Sequence, residues 1–292
     1  MNDFSALDAA ISRATGRPFT TTTRSAVGGG CIHRALTLGD GTRRYFVKLN
    51  SRAHLPLFEA EADGLAALDA AAALRVPRVI CTGSAGDTAY LVLEQLDLAD
   101  RGDAAALGQG LAALHRVSDT RFGWRRDNFI GATPQPNAWA ASWVEFLRAR
   151  RLGFQFALAA HNGLGGRLAR EGEKLLPRLD AFFTGYQPRP SLLHGDLWGG
   201  NHAYLADGRP VVFDPAVYFG DRECDLAMSE LFGGFAPAFH AAYREAWPLD
   251  PGYAVRKTLY NLYHILNHAN LFGGAYVGQA ERMAAQLNAE LS

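Results

Sequence analysis

Apolar residues recur at three- and four-residue intervals in Phe4, Leu7, Ala10, Ile11 and Ala14, and Gly16-Arg17-Pro18 then breaks the turn, so the spacing predicts an opening helix over 3–15. The pattern next alternates. Residues 20–27, 34–38 and 44–49 read as three strands of a meander, separated by Gly28-Gly29-Gly30 and by the tight turn Gly39-Asp40-Gly41. Helical spacing returns with Phe58, Ala62, Leu65 and Leu68 in an alanine-rich frame, predicting a helix over 57–73, and 76–81 and 89–96 add two strands. The order is β-β-β-α-β-β. From about residue 100 the period becomes helical, with stretches at 103–117, 138–160, 164–184, 223–232, 236–246, 253–272 and 276–291. Only the pieces around 202–205 and 210–213, joined by Asp207-Gly208, read there as strands. Asp97-Leu98-Ala99-Asp100 reads as a junction, dividing the chain into 1–97 and 98–292, and Pro134-Gln135-Pro136-Asn137 reads as a loop ahead of a helix.

Composition narrows the function. A chain of 292 residues, 48% hydrophobic and 20% charged, has the make-up of a packed globular protein of one large or two modest domains. Lys plus Arg and Asp plus Glu both number 29, so no excess positive field gathers nucleic acid or an anionic membrane. No basic region followed by an apolar run opens the chain and no run of about 18 apolar residues appears, which makes the cytoplasm the expected location. Cys31, Cys81 and Cys224 are odd in number and far apart, which speaks against a disulfide framework or a zinc site.

The chemistry concentrates in His194-Gly195-Asp196-Leu197-Trp198-Gly199-Gly200-Asn201 and in Val211-Val212-Phe213-Asp214-Pro215. Asn201 lies five residues after Asp196, and Asp214 thirteen after Asn201. That spacing places a base for an attacking hydroxyl, Asp196, beside two hard oxygen ligands for Mg2+, Asn201 and Asp214. His194 is expected to brace the loop. Lys48 ends the apolar strand Tyr45-Phe46-Val47-Lys48, where it can reach the α and β phosphates of ATP, and Glu61 on the next helix can hold it, with Glu59 a competing partner. The β-β-β-α-β-β order ahead of a helical region matches the amino-terminal lobe of a kinase. Gly28-Gly29-Gly30-Cys31-Ile32 lets backbone amides approach phosphate, and it lacks the Gly-Lys-Ser/Thr of a Walker loop. Cys31 sits in that turn, either packed beneath the loop or exposed as a thiol open to oxidation. Pro215 after the metal-binding Asp removes a backbone donor and rules out the Phe switch of protein kinases, which points to a metabolite kinase.

Gly28-Gly29-Gly30-Cys31-Ile32-His33, Phe46-Val47-Lys48, Phe58-Glu59-Ala60-Glu61, the 194–201 loop, Asp214 to Glu223, Asp225-Leu226-Ala227-Met228, Leu231-Phe232-Gly233-Gly234-Phe235, Tyr260-Asn261-Leu262-Tyr263-His264 and Leu266-Asn267-His268 together closely resemble the fructosamine kinase (ketosamine-3-kinase) family. The resemblance covers nearly the whole chain. It implies an α/β (α+β), bilobal protein-kinase-like fold of aminoglycoside-phosphotransferase type, and ATP-dependent phosphorylation of the 3-hydroxyl of a ketosamine, the Amadori adduct of a sugar with an amine. The phosphorylated adduct then breaks down and frees the amine. By the same resemblance Asp196 is the base, Asn201 and Asp214 hold Mg2+, Lys48 and Glu61 form the nucleotide-activating pair, and Glu94 and Leu96 mark the adenine hinge. Bacterial members look better matched to ribulosamines and erythrulosamines than to fructosamines. The implied partners are ATP and ketosamines, free or on glycated proteins, with neither nucleic acid nor membrane, in a monomer or weak dimer.

Trp198 can lie against the apolar face of a sugar or pack on the helical lobe. The acids Asp221, Glu223 and Asp225, with Arg222, are expected to make a structural ion pair at a helix start. His264 and His268, one helical turn apart, can present one face to substrate, pack in the helical interior or, with further ligands, hold a metal. Two rival functions share these features: another small-molecule phosphotransferase, for an aminoglycoside, choline or sugar, and a pseudokinase that binds nucleotide without chemistry. Trp198 and the Phe232 region argue against the first, and the joint presence of Asp196, Asn201, Asp214 and Lys48 against the second.

Overall fold

The computed structural model describes residues 4–28 and 33–291. In chain order the elements are α1 (Ser5–Thr15), β1 (Thr23–Val27), β2 (Arg34–Gly39), β3 (Arg44–Ser51), α2 (Leu55–Ala71), β4 (Val79–Ala85), β5 (Thr88–Glu94), β6 (Leu98–Ala99), α3 (Ala104–Arg116), β7 (Asn128–Ile130), β8 (Thr133–Gln135), α4 (Trp143–Phe146), α5 (Gly153–His161), α6 (Arg167–Leu175), β9 (Ser191–Leu193), β10 (His202–Leu205), β11 (Pro210–Val212), β12 (Tyr218–Gly220), α7 (Glu223–Leu231), α8 (Pro237–Ala246), α9 (Tyr253–Phe272) and α10 (Ala275–Ala289). They fall into two compact units. The first runs to Asp103 and takes in Ala203–Pro215, and the second holds Ala104–His202 and the chain from Ala216 onward. Residues 203–215, which the sequence groups with the helical half, therefore pack with the first unit.

In the first unit an antiparallel sheet of order β1-β2-β3-β5-β4 carries α1 and α2. Alternation supplies its core: Leu36, Leu38, Tyr45, Val47 and Leu49 turn inward from β2 and β3 and meet Leu7 and Ile11 of α1 and Phe4 just ahead of it. The expected elements are present with small shifts at their ends. The segment 97–100 is more than a junction, because Leu98 and Ala99 form β6 and pair with Leu205 and Tyr204 of β10. Beside β10 runs β11, buried along its length and bridged in parallel to Arg75.

The second unit is built around α9, which buries residues on nearly every side. Three expectations change here. The helix expected over 138–160 begins at Trp143 and is interrupted by a π-helical turn, Leu147–Leu152, whose extra residue turns Arg151 inward. Pro134-Gln135-Pro136-Asn137 is not simply a loop, since Thr133–Gln135 forms β8 and pairs with β7 across Gly131. Ser191–Leu193 and Tyr218–Gly220 pair as β9 and β12, strands too short to carry a period. Among the described residues no helix is long and apolar enough to cross a membrane. Cys224 is buried and Cys81 half-buried, and burial pushes both thiols up, Cys81 to about 11.

Candidate active site

In the first unit Lys48, near the end of β3, donates from Nζ to Glu61 Oε1 at 2.7 Å and to Asp214 Oδ1 at 2.6 Å. Glu61 is the partner because it shares the buried face of α2 with Phe58, Leu65 and Leu68, whereas Glu59 is exposed. Two carboxylates thus share one ammonium. Burial alone would lower Lys48, but Glu61 and Asp214 outweigh it and hold the ammonium well above its ordinary value. Glu61 bears the cost of the crowding: burial, aided by Asp214 and opposed by Lys48, pushes it up to about 7. Asp214 itself is 45% exposed. Its φ of +57° is in the left-handed region, which among the described non-glycine residues only Ala72 also enters. Asp tolerates that conformation better than most residues, and outliers of this kind gather at functional sites.

Gly28 is described, with nothing within 4 Å of where a Cβ would lie. Gly29, Gly30 and Cys31 lie outside the described residues. His33 follows them, pairs with Asn50 through Nδ1 at 2.9 Å and lies 4.8 Å from the Phe58 ring. Burial and then the Lys48 charge lower its pKa to about 4, so it is neutral at physiological pH. At the expected hinge, the carboxylate of Glu94 is bound by Arg75 and Arg78. Burial would raise Glu94, but those partners hold it below the usual range. The side chain is thereby committed to arginine. Gln95 braces the next step, accepting from Thr37 Oγ1 at 2.9 Å and donating to the Leu96 carbonyl at 2.9 Å.

In the second unit the 194–201 loop leaves β9 and is fixed through its backbone. Asp225 at the start of α7 accepts the His194 amide at 2.7 Å and the Gly195 amide at 2.8 Å, and is itself met by His115 Nε2 at 3.1 Å. Burial would raise Asp225, but these bonds hold it below the usual range. Gly195 has φ +83°, and a Cβ there would stand 2.0 Å from the Ala216 carbonyl oxygen, so the loop admits only glycine at that point. His194 is fully buried and its Nδ1 accepts the Asp196 amide at 3.3 Å, bracing the loop as expected. Asn201 donates from Nδ2 to the Asp196 carbonyl at 2.8 Å and to Asp196 Oδ2 at 3.1 Å. The amide oxygen of Asn201 therefore turns away from Asp196, and with the Asp214 carboxylate it belongs to the hard-oxygen donor class that suits Mg2+.

Trp198 is 41% exposed, its ring lying across Gly200, where a Cβ would come within 2.3 Å of it. His264 is buried and lowered to about 3, chiefly by burial and then by His268. His268 is half-buried between the rings of Phe232, Phe272 and Tyr276. Among the described residues no cluster of three His, Cys, Asp or Glu is arranged to hold a metal, so the metal reading of His264 and His268 gains no third ligand. The ion pair at the start of α7 takes a different cation from the one expected: Glu223 is met by Arg256 in two bonds of 2.8 and 3.0 Å, while Arg222 donates to the Tyr243 hydroxyl and to the Trp247 and Pro248 carbonyls.

One group of residues escaped the sequence reading. The β7–β8 hairpin grips the chain just past Asp214-Pro215: Asn128 Nδ2 donates to the Val217 carbonyl at 2.8 Å, and Gln135 Nε2 to the Ala216 carbonyl at 3.2 Å. Gln135 also donates to Asn128 Oδ1 at 2.8 Å and accepts from the Tyr263 hydroxyl at 2.6 Å. Asn137, held by Arg151, closes the network on Asn128. Burial pushes Tyr263 up to about 12, with Arg151 and Gln155 opposing and the nearby Asp196 charge adding to the rise. The signal in the sequence was a pair of alternating triplets flanking Gly131.

Comparison with known proteins reaches the same region of chemistry. The family model described as fructosamine kinase matches residues 4–290. A probable ketoamine kinase of Synechocystis sp. is 50% identical over 280 residues, 94% of each chain. A chloroplastic protein-ribulosamine 3-kinase of Oryza sativa subsp. indica is 40% identical, over 88% of this chain and 76% of its own. Among solved structures, a candidate fructosamine-3-kinase from Haemophilus somnus 129PT aligns with a TM-score of 0.89 at 29% identity, covering 96% of both chains. The aminoglycoside phosphotransferase APH(4)-Ia aligns at 0.64 with 16% identity over 99% of this chain and 100% of its own, a likeness of fold.

Proposed function

The chain belongs to the fructosamine kinase family, and on that footing we propose that it transfers the γ-phosphoryl group of ATP to the 3-hydroxyl of a ketosamine. The observation that carries this reading is the lock between Asn201 and Asp196, in which the Asn201 amide nitrogen holds both the Asp196 carbonyl and its carboxylate and so fixes that carboxylate in one orientation on the loop. Asp196 orients the acceptor hydroxyl and takes its proton as the bond from oxygen to the γ-phosphorus forms and the β–γ bridge breaks, releasing ADP. Lys48, held charged by Glu61, pairs with the α and β phosphates, and the backbone from Glu94 to Leu96 takes the adenine. Asn201 and Asp214 are the residues that would offer oxygens to Mg2+, whose charge would offset that of the phosphates. Trp198 offers its exposed ring to the apolar face of the sugar.

Phosphate at C3 is a leaving group two bonds from C1, where the nitrogen is attached. Tautomerisation to the enaminol expels it, and hydrolysis of the resulting imine frees the amine, so the product of this kinase undoes glycation. The test is incubation with ATP, Mg2+ and a panel of glycated lysines, read by mass for an added phosphoryl group. Ribulosamine and erythrulosamine adducts are the expected acceptors, and Asp196→Ala should lower turnover by about a thousandfold with the fold intact, the range of general-base loss. Near-normal turnover in that variant would remove Asp196 as the base. Phosphorylation of aminoglycoside, choline or free sugar alone would overturn the acceptor class.

A further inference from the structure

We infer that a ledge of aromatic rings on the second unit, formed by Phe232, His268, Phe272 and Tyr276, is the subsite for the carrier arm of the acceptor: the aliphatic chain that bears the ketosamine nitrogen, as in a lysyl side chain. The inference rests on the ketosamine reading above. His268 is central, with ring centroids 5.1 Å from Phe232, 5.7 Å from Phe272 and 5.0 Å from Tyr276. Phe232 is 42% and Phe272 63% exposed, and with Trp198 they are the aromatic members of the exposed large hydrophobics among the described residues. Bare aromatic surface of this kind marks a place where something docks.

Two contacts tie the ledge to the loop that carries Asp196. Gly233 and Gly234, directly after Phe232, back onto Gly199, where a Cβ on Gly199 would stand 2.8 Å from the Gly233 oxygen and one on Gly234 would stand 2.9 Å from the Gly199 Cα. Gly199 is the neighbour of Trp198. On α9, His264, His268 and Phe272 follow at intervals of four and so share one face. That face begins where His264 feels the charge of Asp225, the residue that holds the His194 and Gly195 amides. The ledge thus starts against the catalytic loop and extends outward from it.

The chemistry of the rings selects the occupant. An acceptor held at Asp196 by its sugar leaves its nitrogen and the attached chain still to be placed. Ring faces favour methylenes over water, and His268 adds one polar feature. Its Nδ1 lies 2.8 Å from the His264 carbonyl, which can only accept, so Nδ1 donates there and Nε2 is the second polar atom of the ring. The ledge therefore offers apolar faces along an arm and one polar ring nitrogen beside them.

The test is a series of ribulosamines made from methylamine, propylamine, pentylamine and Nα-acetyl-lysine, assayed with the full-length protein. In the wild type, KM falls by about twofold per added methylene, a part of the gain for full burial because a ledge covers one side of the chain. In Phe232→Ala and Phe272→Ala that dependence on arm length flattens, and Phe272→Leu, which keeps an apolar side chain, restores part of it. Phe272 is exposed enough for its truncation to leave folding intact, which a thermal melt checks. Equal kcat/KM for methylamine and Nα-acetyl-lysine adducts in the wild type would overturn the subsite, as would ledge variants that keep the full slope. A concentration-dependent dimer abolished by Phe272→Ala, with no arm-length effect, would assign the ledge to a contact between copies instead. Failure of every adduct to accept phosphate would strike the ketosamine reading itself.

Discussion

His264 shows how one buried side chain sets the response of this protein to acid. Its pKa is lowered to about 3 by burial, with His268 adding to the effect and Asp225 opposing it. The folded form keeps the ring neutral, while the unfolded chain takes up a proton below about 6.5. The unfolded state therefore binds more protons between those values, so stability falls as pH drops from about 6.5 toward 3. One proton at about pH 5 amounts to about 2 kcal/mol, order of magnitude. Urea midpoints of the wild type and His264→Gln at about pH 7 and 5 check this. The variant should lose less stability on acidification, and identical losses would mean that His264 titrates normally. At the same scale, the partner of Lys48 was within reach of the sequence. Glu61 falls three residues after Phe58 and four before Leu65, on the apolar stripe, whereas Glu59 falls off it.

Among elements, the β7–β8 hairpin has the largest consequence for so short a piece of chain. Its two triplets bury Asn128 and Gln135, and both hold carbonyls of Ala216 and Val217. The Ala216 amide in turn donates to the His194 carbonyl at 2.9 Å, so the hairpin supports the 194–201 loop at one remove. Gln135→Leu would take from the Ala216 carbonyl its side-chain donor and from the Tyr263 hydroxyl its acceptor, leaving Asn128 Oδ1 to Asn137 alone, at about 2–4 kcal/mol of stability, since an unmet buried polar group costs about 1–3 kcal/mol. Turnover should fall about tenfold or more through the displaced loop, while the KM for ATP holds. Tyr263→Phe removes the hydroxyl's bond to Gln135 and should cost about 1 kcal/mol. Separate kcat and KM values, with a thermal melt for each variant, decide it: a stability loss with unchanged kcat would make the hairpin scaffolding alone. Gly195→Ala makes the sharper case, because steric conflict with the Ala216 oxygen must move the loop. This network was not legible in the sequence. Asn128 bonds to a residue 89 positions away and Gln135 to one 81 away, and no local period encodes such pairings. The bond between Asn201 and Asp196 was within reach of the sequence, because five residues of one loop separate them. The π-helical turn escaped for a related reason: Arg151 reads as a surface charge until its carbonyl and ring partners are assembled around it.

For the molecule as a whole, equal numbers of acidic and basic side chains, 29 of each, leave no net field to draw ATP from a distance. Affinity for nucleotide must come from local groups, and Lys48 is a cation held ready by Glu61 and Asp214. A ligand that binds only the folded state stabilises it by about 2.7 kcal/mol at a hundredfold excess over its Kd. ATP with Mg2+ should therefore raise the melting temperature by about 5 °C, scaled for a chain of this size. Asp196→Ala should keep that rise while turnover collapses, since the role proposed for Asp196 bears on chemistry and little on nucleotide binding. In Lys48→Met the rise should largely vanish, and the variant still folds because Glu61, already raised to about 7, can take a proton in place of its lost partner. Chelation of the cation should shrink the rise in the wild type. These melts separate binding from catalysis: a wild-type shift without phosphoryl transfer to any ketosamine would identify a nucleotide-binding pseudokinase, and an undiminished shift in Lys48→Met would remove Lys48 from the phosphate site.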